Sequence, residues 1–287
     1  MLSWGITVLE AAYGRNLTEE NLADEHLCCI IRSKKPHPGV EDKRRWLAQR
    51  LREGHVFRKL DAKGIAFIEY APLETAWVPV LGDNYLYIYC LWTAGELRGK
   101  GHGRRLMEYC LADAREHGRS GVCMLGADKQ KAWLSDQAFA KKYGFQAVDS
   151  AAGGYELLAL SFDGSLPRFA SDARRQEIES RELTVYYSPQ CPYIHQSVEL
   201  VKRTCAELGA GQPHRCGLAG KGQGPPLRIQ QLGHVLRRQI RKRESARRRG
   251  AQARAWPGAV DLTSAFRSSP GGASPASGAP RDTAHPR

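Results

Sequence analysis

The chain has 287 residues and a formal net charge of +13, but residues 211–287 hold 15 Lys and Arg against 3 Asp and Glu, so the first 210 residues are nearly neutral. No apolar run is long enough to cross a bilayer, and residues 1–14 lack the basic start and small-residue cleavage site of a signal peptide, so we expect a cytoplasmic protein. The segment before residue 170 is long enough for one α/β domain with a substantial core, whereas the Gly, Pro, Ser and Arg content after residue 211 cannot support one.

Two apolar segments in the first half of the chain predict buried strands. Residues 65–70 form the first, which the charge of Glu69 interrupts, and residues 85–92 form the second, which is dense in aromatic and β-branched side chains. A helix is predicted over residues 104–117, where five apolar side chains recur at helical spacing. Gly118 can adopt the left-handed backbone conformation that ends a helix. The five are Leu106, Met107, Cys110, Leu111 and Ala114.

A glycine-rich sequence between the second strand and this helix predicts a phosphate-binding turn. A helix N-terminus presents unpaired N–H groups and the positive end of the helix dipole, and small residues let a pyrophosphate approach the backbone. The spacing Arg-x-x-Gly-x-Gly matches neither the dinucleotide fingerprint nor the Walker A sequence. A glycine-rich turn without a ligand is the alternative. The residues are Arg98, Gly99, Lys100, Gly101, His102, Gly103 and Arg104.

The spacing of Arg98, Gly101 and Gly103 resembles the acyl-CoA-binding motif of the GCN5-related N-acetyltransferases (GNAT). Residues 139–145, Phe-Ala-Lys-Lys-Tyr-Gly-Phe, resemble the family's late helix-to-strand junction, which usually has the sequence Tyr-x-x-x-Gly-Phe. Three further segments are similar to the YoaP-like subgroup, in which a small thioredoxin-like domain follows the acetyltransferase domain. They are residues 17–29, 53–72 and 85–92.

The resemblance implies an α/β chain with a GNAT fold, in which helices flank a mixed, mostly antiparallel sheet. A partial thioredoxin-like βα unit would follow, and we expect it to fray or to dock on the first domain, because one strand and one helix cannot bury their own faces. The predicted divisions are residues 1–170 for the acetyltransferase domain, 171–182 for a linker, 183–210 for the partial unit and 211–287 for a disordered basic tail.

The resemblance also implies a chemistry, in which an amine attacks the thioester of acetyl-CoA directly in a ternary complex. The backbone of Leu91 and Trp92, where the family's central strands separate, would hold the pantetheine arm and polarise the carbonyl group. Glu69 is the candidate for removing the ammonium proton, unless it faces solvent on the alternating side of its strand. Ala140 replaces the tyrosine that often protonates the departing thiolate, which leaves Tyr143 as a substitute.

The sequence does not decide the roles of several other side chains. His55 and His102 are further titratable candidates, although His102 occupies a variable position of the turn, where we expect it to solvate phosphate. Trp77, Trp92 and Tyr155 could line the acceptor pocket, but we favour a place in the core for them. The predicted acceptor is a small-molecule or aminoacyl amine, and the loops that would select it lie outside these motifs.

Eight cysteines are scattered without C-x-x-C spacing, which argues against a metal site. Five of them lie in apolar patterns and are expected as reduced core side chains: Cys28, Cys29, Cys90, Cys110 and Cys123. Cys191 lies between a strand predicted over residues 183–187 and a helix predicted over residues 193–208, a setting that can lower a thiol pKa. Because Ile194 stands where a second cysteine would be needed, we favour an inert thiol over a redox role.

The basic tail has two interpretations. Clustered arginines are typical of a nucleic-acid-binding arm or a membrane-surface anchor. However, reading residues 224–244 one base forward with permitted codons gives APPFASNNWATFYDGKFVSE, which resembles the missing half of the thioredoxin-like domain. We favour a frameshift, which would make the arginine clusters accidental and leaves no reason to expect nucleic acid or a membrane as a partner.

Three classes of function therefore remain open. The favoured one is an N-acetyltransferase that uses acetyl-CoA. The second is a catalytically inactive acyl-CoA- or thiol-binding protein, which Ala140 and the incomplete second domain suggest. The third is a nucleic-acid-binding protein whose affinity would fall with salt and with deletion of residues 211–287.

Overall fold

The structure is a computed structural model. It describes residues 14–29, 35–61, 64–131, 133–171, 173 and 187–207, without the side chains of residues 204–207. All of these residues belong to the first of the two units into which the chain divides, residues 1–240 and 241–287. The strand predicted over residues 183–187, apart from Tyr187, and the tail predicted after residue 211 lie outside the described residues.

A mixed sheet forms the centre of this unit. The described part of the sheet has seven strands in the order β1-β2-β3-β5-β6-β8-β7, and each neighbouring pair is antiparallel except the parallel pair of β5 and β6. The strands are β1 (Gly14–Asn16), β2 (Val56–Leu60), β3 (Ile65–Pro72), β5 (Tyr85–Ala94), β6 (Gly121–Ala127), β7 (Gln146–Ala151) and β8 (Tyr155–Ser161). Two short strands, β4 (Val80–Leu81) and β9 (Arg168–Phe169), pair separately. The predicted mixed, mostly antiparallel sheet is therefore confirmed.

Helices cover the sheet, and a short 3₁₀ turn, Gly95–Leu97, follows β5. The helices are α1 (Pro38–Leu51), α2 (His102–Glu116), α3 (Gln137–Lys141) and α4 (Ile194–Glu207). The strands predicted over residues 65–70 and 85–92 correspond to β3 and β5, and each extends two residues further along the chain. The helix predicted over residues 193–208 corresponds to α4.

Strand β5 is buried on both faces in its first half, which explains its continuous apolar sequence. Successive side chains of a strand point to opposite faces of the sheet. Leu86 and Ile88 accordingly enter a core cluster that includes the apolar face of α2, whereas Tyr85 and Tyr87 enter a second cluster that includes Phe169. The sheet therefore separates two hydrophobic cores.

Helix α2 follows the predicted pattern closely. All five side chains predicted for its apolar face are buried, and Leu106 alone contributes about 1.5–3 kcal/mol if it is fully removed from water. The helix ends where Gly118 adopts the left-handed conformation, with φ of 59°, that favours glycine. At its other end, the helix begins directly after residues 98–101, which form the glycine-rich turn that follows the 3₁₀ turn after β5.

Helix α4 docks on α1, so the described part of the predicted βα unit, residues 187–207, is packed rather than frayed. The approach is close, because a Cβ atom at Gly39 of α1 would overlap the carbonyl oxygen of Pro192. The apolar face of the segment is buried. It consists of Tyr187, Ile194, Val198 and Val201.

Candidate functional site

The central strand β5 leaves its neighbour β6 before either strand ends. Their parallel pairing stops at Ile88 and Met124, although β5 has six more residues and β6 has three more. At the same point β5 carries one extra residue relative to β3, Tyr89, which forms a β-bulge between Ile88 and Cys90. A bulge bends a strand and increases its twist, which accounts for the divergence. The separation expected near the end of this strand is therefore present.

The backbone N–H of Leu91 faces this gap. It donates a hydrogen bond to Ser135 Oγ over 3.0 Å instead of pairing with β6. Because successive residues of a strand direct their N–H groups to opposite edges, the N–H of Trp92 faces β3. The two residues proposed for the pantetheine arm thus differ, and Leu91 is the one whose N–H can reach a ligand in the gap.

The glycine-rich turn has the geometry of an anion site. Gly99 and Gly101 adopt left-handed conformations, with φ of 76° and 82°, and a Cβ atom at either residue would meet no atom within 4 Å. Gly101 is the N-cap of α2 and provides no side-chain cap, and the first intrahelical bond runs from Arg105 N to Gly101 O. The amides of the first turn, such as that of Gly103, therefore have no partner within the helix. These features fit a pyrophosphate group.

Cationic side chains surround the same turn. Arg98, Lys100 and Arg104 are exposed, and the Nε of Arg104 also lies 2.7 Å from Glu108 Oε1, four residues along α2. His102 is partly buried at the first position of the helix. Exposed cations next to a helix N-terminus add to the attraction that the backbone offers to a phosphate.

Tyr143 and Ala140 occupy different environments. Ala140 of α3 is fully buried in the core cluster beside α2. Tyr143 lies in the turn after α3, where its ring packs against Phe139 at 5.2 Å, close enough to Arg104 for the guanidinium charge to favour ionisation of the hydroxyl. Partial burial raises the pKa of the Tyr143 hydroxyl, so it carries its proton at neutral pH. The substitute tyrosine therefore lies beside the phosphate turn.

Glu69 is fully buried, so the alternative in which it faces solvent is wrong. Its Oε2 accepts hydrogen bonds from Lys43 Nζ at 2.6 Å and from Gln190 Nε2 at 2.9 Å. Its Oε1 lies 3.1 Å from His55 Nε2, and His55 is buried as well. Alternation along the strand does not expose Glu69, because both faces of β3 are covered. Three donors from three different segments therefore meet at one carboxylate.

The charges in this cluster are coupled. Burial alone would raise the pKa of Glu69, but Lys43 and His55 outweigh it and hold that pKa below its ordinary value of 4.5. Burial lowers the pKa of His55 below its ordinary value, so the ring is neutral at neutral pH. Because an ionised carboxylate can only accept, the Nε2 of this neutral ring carries the proton. The pKa of Lys43 is raised, although burial opposes its charge, because Glu69 stabilises the ammonium group.

Aromatic rings enclose one side of the carboxylate cluster. Tyr89 stacks on His55 at 5.2 Å, and Trp46 meets His55 edge-on at the same distance. Trp77 and Trp92 are partly buried against the hydrophobic cluster that contains Trp46, whereas Tyr155 belongs to another part of the core. The indole Nε1 atoms of Trp46 and Trp92 are buried and have no hydrogen-bond partner among the described residues.

Sequence reasoning missed Lys43, Gln190 and Ser135. A signal existed for Lys43, because it lies on the buried face of α1 among apolar side chains and a charged residue there needs a partner. Ser135 and Gln190 lie in loops, and each meets a residue far away in the sequence. No local pattern points to such contacts.

The six cysteines that the structure describes are free thiols. Burial raises the pKa of Cys110 and Cys123, in agreement with a role in the core. Burial also raises the pKa of Cys191, which supports the inert thiol rather than a reactive one. In the part of the chain that the structure describes, no group of His, Cys, Asp and Glu side chains is arranged to hold a metal ion.

Comparison with known proteins identifies the family. The sequence model of the Acetyltransferase (GNAT) family matches residues 20–145. The N-acetyltransferase YoaP of Bacillus subtilis (strain 168), itself described as uncharacterized, is 38% identical over 179 residues, which are 62% of this chain and 71% of YoaP. The chain therefore belongs to the acetyltransferase (GNAT) family, and it is an N-acetyltransferase whose co-substrate is acetyl-CoA.

Solved structures of acetyltransferases also match. A GNAT acetyltransferase from Brucella melitensis in complex with acetyl-CoA is 16% identical, with a TM-score of 0.36, over 54% of this chain and 91% of that one. The PaiA N-acetyltransferase from Thermoplasma acidophilum in complex with coenzyme A is 15% identical, with a TM-score of 0.37, over 52% and 98%. Within the described residues, no helix has the length and apolar character needed to cross a membrane.

Proposed function

We propose that the chain transfers the acetyl group of acetyl-CoA to an amine by direct attack in a ternary complex. The observation that carries this proposal is the unobstructed N-terminus of α2. This helix comes next in the chain after β5, the strand that separates from β6, and a short turn. The turn at residues 98–104 would hold the pyrophosphate, and Leu91 N–H would exchange Ser135 Oγ for the thioester carbonyl oxygen. That hydrogen bond would stabilise the oxyanion of the tetrahedral intermediate.

Glu69 is our proposed residue for receiving the acceptor's proton, directly or through water. It is ionised at neutral pH, because its pKa lies below the ordinary value, and it faces Cys90, the residue before Leu91. An ionised carboxylate attracts an ammonium group, and placing the amine next to the thioester supplies proximity. His55 stabilises the carboxylate through a hydrogen bond from its Nε2 to Glu69 Oε1.

Two hydroxyl groups are proposed for returning a proton to the CoA thiolate. Tyr143 is protonated at neutral pH and lies beside the phosphate turn. Ser135 lies at the Leu91 N–H, inside the gap between the strands. The variants Tyr143→Phe and Ser135→Ala separate the two, since each removes one hydroxyl group and keeps most of the side chain's volume.

The acceptor is proposed to be a small-molecule or aminoacyl amine. The buried indole N–H groups of Trp46 and Trp92 support this, because neither has a hydrogen-bond partner among the described residues and such a donor can bind an oxygen atom of a ligand. The aromatic rings around His55 supply the apolar part of such a pocket.

The proposed domain division is unchanged. Residues 1–170 would form the acetyltransferase domain, since β9 ends at Phe169, and residues 171–182 would form a linker. Residues 183–210 would form the partial thioredoxin-like unit, of which α4 is described, and residues 211–287 the basic tail.

A thiol-release assay with the full chain tests the function. Acetyl-CoA is mixed with a panel of primary amines and aminoacyl compounds, and free CoA is measured together with the acetylated product by mass spectrometry. We expect release that depends on at least one amine, and a loss of about 100-fold or more in Glu69→Gln if that carboxylate removes the proton. Glu116→Gln, which changes an exposed carboxylate of α2, is the matched control and should keep the full rate.

The outcomes separate the alternatives. Full activity in Glu69→Gln would contradict the role of this carboxylate while leaving acetyl transfer intact. Binding of acetyl-CoA without release for any amine would favour the inactive acyl-CoA-binding alternative, which the burial of Ala140 at the usual tyrosine position also suggests.

A further inference from the structure

Gln190 connects the segment that follows the acetyltransferase domain to the buried carboxylate. Its Nε2 lies 2.9 Å from Glu69 Oε2, although 121 positions separate the two residues in the sequence. Gln190 is itself partly exposed, so its amide could be solvated by water without this contact. Its place beside a fully buried carboxylate therefore serves Glu69 more than it serves Gln190.

The segment that carries Gln190 is held firmly. Pro192 packs against Gly39 without room for a side chain, and His195 Nδ1 lies 3.1 Å from Asp42 Oδ2 of α1. The rings of His37 and His195 also meet edge-on at 6.2 Å. These contacts begin two residues after Gln190, so they hold its segment against the start of α1 and restrict where its amide can lie relative to β3.

The three donors restrain Glu69 in different ways. Lys43 and Gln190 share Oε2, whereas His55 bonds to Oε1, so together they fix both oxygens and the plane of the carboxylate. Hydrogen bonds to an ionised acceptor are about twice as strong as those between neutral groups. The titratable groups that face Glu69 are Lys43 from α1, His55 before β2 and Cys191 before α4. Of the three donors, Gln190 is the one that does not titrate.

We propose that Gln190 is a positioning residue of the acceptor site. Its amide orients the Glu69 carboxylate toward the gap where the amine attacks the thioester, so that residues 187–207 form part of the acetyltransferase site although they follow the predicted acetyltransferase domain. The proposal rests on the proposed function of Glu69. It assigns to the partial βα unit a role in acetyl transfer that does not depend on a thiol.

The test compares Gln190→Ala with Gln196→Ala in the full chain. Gln196 is an exposed glutamine on α4, so it controls for the loss of a glutamine side chain from the same segment. The rates of CoA release are measured across pH with the amine that reacts best in the panel. We expect Gln190→Ala to lower kcat/KM for the amine about tenfold or more, because a charged-group hydrogen bond is lost, with an unchanged acetyl-CoA dissociation constant.

The pH profile distinguishes positioning from a merely structural role. Loss of the Gln190 donor raises the pKa of Glu69, so the acidic limb of the profile moves to higher pH in Gln190→Ala and stays in place in Gln196→Ala. Carbon NMR of the labelled carboxylates, assigned with Glu69→Gln, reports the same titration without any activity. Thermal unfolding checks that both variants are folded.

Two results would overturn the proposal. The first is a folded Gln190→Ala chain with an unchanged acceptor kcat/KM, whatever the titration of Glu69. The second is a lowered kcat/KM with an unmoved acidic limb and an unmoved Glu69 signal, since the amide would then not act through the carboxylate. A wild-type chain that binds no acetyl-CoA would instead refute the proposed function, and this inference with it.

Discussion

At the scale of single residues, the main feature is an ionised carboxylate in the interior of the sheet. Removing a charge from water costs several kcal/mol, and an ion pair with Lys43 offsets this only when further hydrogen bonds complete the set. Gln190 and His55 complete it for Glu69. Because a buried ion pair is weak evidence for stability, the cluster fits a functional role better than a structural one.

The cluster makes a prediction about stability and pH. The pKa of His55 in the folded chain lies below its ordinary 6.5, so as the pH falls through that value the unfolded chain binds a proton that the folded chain does not. Glu69, whose folded pKa lies below 4.5, contributes stability that is present above 4.5 and is lost as the pH falls through the folded pKa. The free energy of unfolding should therefore decrease below about pH 6.5 and again below about pH 4.5.

Urea unfolding at a series of pH values measures this dependence. The variant His55→Gln retains a hydrogen-bond donor but cannot titrate, so its stability should decline less than that of the wild type between these two pH values. Identical slopes for the two proteins in that interval would show that His55 is not buried in its neutral form.

Glu69 also shows how far residue-level reasoning reaches. The sequence singled it out as the one charge in an apolar run, but whether it was buried depended on the cover of both faces of β3. Such cover comes from α1 and α2, which lie elsewhere in the chain. Tyr70, its neighbour, donates to Asp113 of α2 at 2.7 Å, while Glu69 meets Lys43 of α1.

At the scale of elements, local patterns were sufficient for α2 and its turn. Apolar spacing, the glycines and Gly118 are all properties of a short stretch, and the helix begins within two residues of its predicted start. The bulge at Tyr89 and the contact between Ser135 and Leu91 depend on the pairing of distant strands and loops. Composition carries no information about such pairing.

Helix α4 gives a prediction at this scale. Its docking on α1 buries Ile194 almost completely, so Ile194→Ala should destabilise the packed segment by about 2–5 kcal/mol. Hydrogen exchange should then speed up in residues 194–207, while the strands of the central sheet keep their protection. The exposed Gln196→Ala serves as the control. Unchanged exchange in Ile194→Ala would contradict the docking.

At the scale of the whole molecule, β5 and β6 separate in a sheet whose two faces are covered by different helices. The glycine-rich turn begins α2 on one face, and the carboxylate cluster contacts α1 on the other. A thioester placed in the gap could therefore be held from one face and approached by an amine from the other. This arrangement explains why the two halves of the candidate site come from segments so far apart in sequence.

The sequence could predict the family fold and the glycine-rich turn before α2, because both depend on contiguous motifs. It could not predict how Glu69 is held, since Lys43, His55 and Gln190 come from three segments that the fold brings to one strand. We propose that the amine binds beside this cluster, and a panel of acceptors is needed to identify it.

The most direct test of the central claim is calorimetric titration of the full chain with acetyl-CoA, repeated with Gly101→Glu and Gly118→Glu. Both glycines have left-handed conformations and open surroundings at opposite ends of α2, so the two variants carry a similar backbone strain and the same added charge. We predict saturable binding by the wild type and by Gly118→Glu, and its loss in Gly101→Glu, because a carboxylate would occupy the pyrophosphate position. Equal binding by Gly101→Glu and Gly118→Glu, or no binding by the folded wild type, would contradict the claim.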